Sequence, residues 1–220
     1  AGTGIILRMT VIQTVAIVAE RRAAGPAVEL TLHAPELARL LRPGQPVLVK
    51  AGPGTWPYLR RTRYPVALGE ESFTLRVGPS PDWGDAWLRT AAVGSAIDCL
   101  GPVGRGFELD GQVRNLLCVG EDDAVWDLLP LIDWADAAGL SVALVAGART
   151  VRTALPVQRL PAGVEYHLVS GDGQPDIRRP LMSTLSDLLP WADALAASAP
   201  LEAYGALAQT ITSARYALSR

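Results

Sequence analysis

The residues that bear most directly on chemistry are Val119-Gly120-Glu121-Asp122-Asp123-Ala124-Val125, running into Trp126-Asp127-Leu128-Leu129-Pro130-Leu131. The apolar stretch over 115–119 predicts a buried strand that turns at Gly120 into an amphipathic helix. Nucleotide-binding folds place a glycine-rich loop at such a turn, where backbone N–H groups can face a pyrophosphate. Here Glu121, Asp122 and Asp123 supply three consecutive carboxylates, and Ala124 follows. Two unit charges about 5 Å apart repel by roughly 3 kcal/mol at an effective dielectric of about 20. The frame is that of a dinucleotide site, with the charge reversed. Acids at a helix start also have a structural use: the helix dipole favours them, and they can cap its free N–H groups.

Other chemistry is sparse. Cys99 and Cys118 lie in apolar runs and read as buried, reduced thiols. Two cysteines cannot supply the four thiolates of an ordinary iron–sulfur cluster. His33 and His167 are far apart, which gives no support to a zinc or histidine-based catalytic site. No nucleophile elbow, Walker loop or Cys-x-x-Cys is present. A net charge of −2 leaves no footprint for nucleic acid and no polybasic membrane patch. No apolar run reaches the ~20 residues of a spanning helix. The opening Ala1–Arg8 lacks the basic start and apolar length of a leader, so a cytoplasmic protein is expected.

These residues need elements to position them. The chain has 220 residues, 49% hydrophobic and 19% charged, enough for one large domain or two of about 100 residues each. The first half predicts short strands over 10–19, 27–32, 47–51, 64–68, 72–77 and 95–100, with a hairpin turn at Arg21–Pro26 and a short helix over 83–92. Frequent turns between short strands imply an antiparallel β-barrel over residues 1–112. The rhythm changes at Asp110-Gly111-Gln112. Strands over 115–119, 140–146, 164–169 and 193–197 then alternate with helices over 124–138, near 151–154, near 179–188 and over 201–218. That alternation implies a parallel, Rossmann-like α/β domain over residues 113–220. In the closing helix Leu201, Tyr204, Leu207, Ala208, Ile211 and Leu218 fall on one stripe. Six tryptophans are many for this length: Trp56, Trp83, Trp87, Trp126, Trp134 and Trp191. Trp126 and Trp134, eight apart, should share a helix face. An exposed Trp83/Trp87 patch would mark a protein interface.

A barrel followed by an α/β domain resembles the ferredoxin–NADP reductase superfamily, and within it the electron-transfer subunits of type B dihydroorotate dehydrogenase. The resemblance covers about residues 10–210. Pro43-Gly44-Gln45-Pro46-Val47 is similar to that family's "PGQF" segment. Gly101-Pro102-Val103-Gly104-Arg105-Gly106-Phe107 is similar to its "GPLGNGF". Val119-Gly120 followed at the same spacing by Leu128-Leu129-Pro130-Leu131 resembles "VGGGIGVAPLLPL". There Pro130, which costs ~3 kcal/mol inside a helix, matches a family proline. Asp193-Ala194-Leu195-Ala196-Ala197-Ser198-Ala199-Pro200 resembles "DAVYACGP", and Gly171-Asp172-Gly173 a "DDG" turn, though Asp-Gly is common in turns.

The resemblance implies a flavin, FAD or FMN, along an "R-x-P-x-S" run. Arg63-Tyr64-Pro65-Val66-Ala67 fits that run, with Arg63 toward phosphate, Tyr64 toward a ring face, and Ala67 where a hydroxyl would meet the flavin near N5. Arg60 and Arg61 add candidate phosphate donors, and Val77-Gly78-Pro79-Ser80 takes the place of a turn beside the ring or ribitol. The alternative is that these arginines form only a solvated basic edge. For NAD(P) the implication fails: Glu121 and Asp122 replace loop glycines, Ala124 replaces a third, and Ser198-Ala199 replaces Cys-Gly where a nicotinamide would pack. The family's cysteine-rich cluster segment has no counterpart up to Arg220, so no iron–sulfur cluster is expected. Three readings stay open. One is a flavoprotein electron-transfer subunit working with a protein partner or as a homo-oligomer. The second is a degenerate reductase-like module that serves as a scaffold without nucleotide. The third is an intact reductase whose acidic loop moves or takes an unusual ligand.

Overall fold

The computed structural model describes residues 10–52, 54, 58–172 and 177–218. The chain divides into two compact units, Ala1–Gly106 and Phe107–Arg220.

The first unit contains β1 (Ile12–Ala24), β2 (Ala27–His33), α1 (Pro35–Ala38), β3 (Val47–Val49), β4 (Arg61–Arg63), β5 (Pro65–Leu68), β6 (Ser72–Val77), α2 (Trp83–Thr90) and β7 (Ala96–Gly101). The seven strands form one antiparallel sheet in the order β4-β3-β7-β1-β2-β6-β5. Strand alternation builds the core: in β6, Phe73, Leu75 and Val77 are buried while Ser72, Thr74 and Arg76 are not. They pack with Ala16, Val18, Leu30, Leu32, Leu37, Val47, Val49, Leu88 and Ile97. β4 and β5 are consecutive in the chain yet lie at opposite edges of the sheet, with Tyr64 between them. The seam of a nearly closed barrel therefore falls on Tyr64.

The β1–β2 hairpin is tighter than the sequence predicts. Pairing continues to Ala24↔Ala27, leaving Gly25 (φ +61°) and Pro26 as the turn. Arg21 and Arg22 look like loop residues but belong to the ladder. Arg22 sits opposite Glu29, which is 3% exposed, and pairs with it; Arg21 Nη2 donates to the Arg89 carbonyl at 2.9 Å.

The second unit contains β8 (Asn115–Glu121), α3 (Leu129–Ala137), β9 (Ser141–Ala148), β10 (Glu165–Ser170), α4 (Arg178–Leu188), β11 (Ala194–Ser198) and α5 (Tyr204–Leu218). Its four strands are parallel, in the order β10-β9-β8-β11. Leu117 and Val119 of β8 and Ala143 and Val145 of β9 pack with Leu181, Leu185 and Leu207 of α4 and α5. The chain runs outward from β8 to β9 and β10, then returns to the other side of β8. The carboxyl ends of β8 and β11 thus form a topological switch point, where open α/β sheets bind ligands.

Three predicted helices differ. In place of one helix over 124–138, a 3₁₀ segment, Asp122–Leu128, precedes α3. Pro130 therefore stands in the first turn of α3, where its missing N–H has no partner to lose, and the interior-proline penalty does not arise. The change of pitch also separates the tryptophans. Trp126 is 5% exposed, with the Arg159 guanidinium 5.3 Å from its ring centroid, whereas Trp134 is exposed. The segment near 151–154 is a single 3₁₀ turn, Val151–Thr153. The last helix begins with a 3₁₀ turn, Leu201–Ala203, which breaks the predicted stripe: Ala203 and Leu207 are buried, Ile211 is half-buried, and Leu201, Tyr204 and Ala208 are exposed. Trp56, Gly173 and the Leu218 side chain lie outside the described residues. Among the described residues no helix is long and apolar enough to cross a membrane, and no group of acidic, histidine or cysteine side chains could hold a metal ion.

Candidate functional site

The barrel seam gathers charged side chains from three elements. β4 presents Arg61 and Arg63, with Arg63 in register opposite Val47 of β3. Pro65 opens β5 opposite Leu75; a proline at the first position of an edge strand withholds no needed donor. Pro65 and Val66 are buried, Ala67 is half-buried beside Thr74, and Tyr64 is exposed. From the far side, β6 leads through Gly78, Pro79 and Ser80 into the N-terminus of α2. The Ser80 hydroxyl accepts from Asp82 N at 3.1 Å. Asp82 caps α2, its Oδ1 accepting from the N–H groups of Gly84 (2.9 Å) and Asp85 (3.2 Å). An aspartate directly before the helix is the sequence signal for this cap.

Each arginine here has a carboxylate. Arg61 forms a fork with Asp82, Nε to Oδ1 at 2.9 Å and Nη2 to Oδ2 at 2.7 Å. Arg63 pairs with Asp85 in the first turn of α2. Arg60 donates to the Asp98 carboxylate at 2.7 Å and to its carbonyl at 3.1 Å. Hydrogen bonding from Arg61 holds Asp82 below the usual carboxylate range, and Arg60 does the same for Asp98. The arginines are thus not a solvated basic edge but a set of matched pairs, with Arg63, Ser80 and the start of α2 brought together.

Two more predicted segments meet in this unit. Gln45 is buried; its Oε1 accepts from Arg42 N, and its Nε2 donates to the Gly104 carbonyl at 2.9 Å. Val103 N donates to the Pro46 carbonyl. Gly106 (φ +75°) could not carry a side chain, since a Cβ would lie 2.6 Å from the Pro43 carbonyl oxygen. The 43–46 and 101–106 segments are one packed corner.

At the tip of β8 two of the three carboxylates, Glu121 and Asp122, turn to arginines. Glu121, which immediately precedes the 3₁₀ segment, makes no capping bond. It is 6% exposed, and its two oxygens accept from Arg178 Nε at 3.3 and 3.2 Å. Arg178 Nη2 also lies 3.5 Å from Glu202. Asp122 holds a left-handed backbone (φ +52°) that L residues other than glycine seldom adopt. Its carboxylate accepts from Arg149 N at 3.1 Å and Arg149 Nε at 3.0 Å. Asp123 is exposed, and Ala124 is half-buried. A Cβ on Gly120 would lie 2.8 Å from Val125 Cγ2 and 3.1 Å from the Ser198 carbonyl oxygen. The face of Gly120 is covered by the protein itself. Ser198 Oγ lies 3.5 Å from an Asp127 oxygen. The two cysteines take no part: burial pushes both thiols up to about 12.

No protein-family model matches the chain. In sequence it is 29% identical over 198 residues to a dihydroorotate dehydrogenase B (NAD(+)) electron transfer subunit from Lysinibacillus sphaericus, covering 87% of this chain and 75% of that one. Of a second subunit so named, from Geobacillus thermodenitrificans, the chain spans 62%. Among solved structures it superposes on the ferredoxin reductase in carbazole 1,9a-dioxygenase with a TM-score of 0.77 at 18% identity, covering 94% of this chain and 67% of that one. It superposes on a ferredoxin-NADP+ reductase from Plasmodium falciparum, solved with 2'P-AMP, with a TM-score of 0.73 at 10% identity, covering 94% of both chains. The chain has the ferredoxin–NADP reductase fold.

Within this reductase fold, the predicted run Arg63–Ala67 stands at the barrel seam and the acidic loop at the switch point of the sheet. Four side chains that organise these places escaped the sequence reading: Asp82, Asp85, Arg149 and Arg178. Asp82 carried a capping signal and Asp85 that of an acid in a first helical turn. Arg149 directly follows β9, and Arg178 opens α4, positions that adjoin the switch point once strand order is known.

Proposed function

We propose that the chain is an electron-transfer flavoprotein subunit of the kind found in type B dihydroorotate dehydrogenases, passing electrons between a flavin (FAD or FMN) and a protein partner. The observation that carries this reading is the convergence of Arg61, Arg63, Ser80 and the α2 N-terminus at the barrel seam beside the exposed Tyr64. Two guanidinium groups are donors a phosphate takes, while the Gly84 and Asp85 N–H groups at the helix start are held by the Asp82 cap. Arg63 would hold the phosphate, Tyr64 would stack on a ring face, and Pro65, Val66 and the Gly78–Ser80 turn would shape the edge of the site. A bound flavin would supply the redox chemistry; the chain supplies orientation and charge. Ala67 offers no hydroxyl near the flavin N5, which bears on redox tuning more than on affinity.

A second reading, a reductase-like scaffold without nucleotide, is favoured by one specific observation: Asp82 and Asp85 already match Arg61 and Arg63. The visible spectrum of the purified protein separates the two. A flavin absorption band, native or after incubation with FAD or FMN and gel filtration, sinks the scaffold. A colourless protein that retains neither flavin sinks the electron-transfer reading. Reduction by NAD(P)H is not expected in either case.

A further inference from the structure

The acidic loop does more than repel an anion. At the switch point the α/β unit offers the donors a phosphate group uses: the Arg149 N–H and guanidinium, arriving from the end of β9, and the Arg178 guanidinium at the start of α4. Both arginines are engaged by carboxylates at the end of β8 and the loop after it, and Arg178 also by Glu202. Asp122 takes the N–H and Nε of Arg149, and Glu121 takes Nε of Arg178. Asp122 does so from a left-handed backbone suited to glycine, so the loop backbone keeps a glycine conformation while the side chain supplies a negative charge. Val125, 2% exposed, closes over Gly120 and occupies the space above the one loop glycine that remains.

We infer that Glu121 and Asp122 are built-in anions that plug a latent phosphate-binding site, making the α/β unit refractory to dinucleotides through occupancy of Arg149 and Arg178. The site they cover would take a nucleoside diphosphate or another pyrophosphate. The residues present do not fit NAD(P) for that reason. This rests on the reductase fold of the α/β unit and on the reading that NAD(P)H is not its reductant, and it predicts a gain of function.

The test is isothermal titration calorimetry of the full chain with ADP, and separately with inorganic pyrophosphate. The wild-type chain should not saturate at millimolar ligand. The E121G/D122G double variant should bind ADP at least about tenfold more tightly than wild type, and R149A or R178A added to that background should abolish the gain. If the double glycine variant does not fold, as judged by circular dichroism, E121Q/D122N keeps the side-chain volume and should show the same direction of change. A folded variant that binds ADP no better than wild type overturns the inference. So does saturable ADP binding by the wild-type chain, or a gain that survives loss of either arginine. The flavin spectrum of the same samples reports on the barrel separately, so either proposal can fail without the other.

Discussion

At the barrel seam two arginines stand on a strand, and two aspartates reach them from the start of the neighbouring helix. At the tip of β8 the carboxylates belong to the loop, and the arginines arrive from β9 and α4. The residue types are the same; their attachment is reversed. In the barrel the carboxylates belong to a helix start; the Asp82 side chain is 40% exposed and that of Asp85 15%, so Arg61–Asp82 is the more open pair. An exposed pair is screened by water and holds its partner weakly. A phosphate offering bidentate, charge-assisted bonds can displace it. In the α/β unit the Glu121 side chain is 8% exposed, and Asp122, 21% exposed, pairs with an Arg149 that is 81% exposed. There the anion is part of the turn. The lesson is that a matched arginine is not a lost arginine; what decides is whether its carboxylate can leave.

The largest expected effect breaks the comparison directly. If the barrel pairs are displaceable, Arg63→Ala should weaken flavin binding by about 3 kcal/mol, roughly 100-fold in Kd, the loss expected for charge-assisted bonds to a phosphate. Arg178→Ala should leave flavin affinity unchanged. Fluorescence titration with FAD and FMN measures both. Equal losses from the two variants would mean that the seam is not the flavin site.

Packing distinguishes the two places next. Gly120→Ala drives a Cβ to within 2.8 Å of Val125 Cγ2 and 2.9 Å of Val125 Cα, so backbone must shift. A destabilisation of about 3 kcal/mol follows. Gly84→Ala, at the start of α2, meets Ala51 Cβ and Asp82 Oδ1 at 3.0 Å and Arg61 Nε at 3.2 Å. All three are side-chain atoms, so no backbone must shift, and a cost of about 1 kcal/mol is expected. Urea unfolding of both variants gives the ratio. A Gly84 variant as damaged as the Gly120 variant would show the seam to be as rigid as the loop.

Backbone strain gives a smaller effect. Asp122→Ala keeps the left-handed backbone and loses the bonds to Arg149, for about 2 kcal/mol. Asp122→Gly loses the same bonds but relieves the strain, and should lie about 1 kcal/mol above the alanine variant. Equal stabilities would remove the argument that the turn was made for glycine.

Much of this architecture was legible in the sequence, and the misses share a cause. Alternating Phe73, Leu75 and Val77 announce a barrel strand, and Gly120 after an apolar run announces the strand–helix turn, because period and breaker residues are local signals. The matched pairs were not legible. Arg63 and Asp85 are brought together by closure of a sheet whose edges, β4 and β5, are neighbours in sequence and remote in strand order. Glu121 and Arg178 are joined only when α4 returns the chain to β11. Pitch was also invisible: nothing in Asp122–Leu128 marks a 3₁₀ segment, and that change misplaced the face shared by Trp126 and Trp134. Charge in a loop reads as repulsion until its partners are located.

The smallest expected effect concerns acid. Hydrogen bonding from Arg61 lowers the pKa of Asp82 in the folded barrel. A carboxylate whose folded pKa lies below its unfolded value of about 3.9 contributes stability that is fully present above that value and is lost as pH falls through the folded pKa. The Asp82 contribution should therefore be flat between neutral pH and the unfolded value, then decline in more acidic solution. Asp82→Asn removes it at every pH. Because the carboxylates of Glu121 and Asp122 are common to both chains, the difference in urea midpoint between wild type and this variant isolates the seam. That difference should be constant from neutral pH down to the unfolded carboxylate range and shrink below it. A difference that already closes in mildly acidic solution would mean that Asp82 is not held by Arg61, and the matched-pair account of the barrel would fail with it.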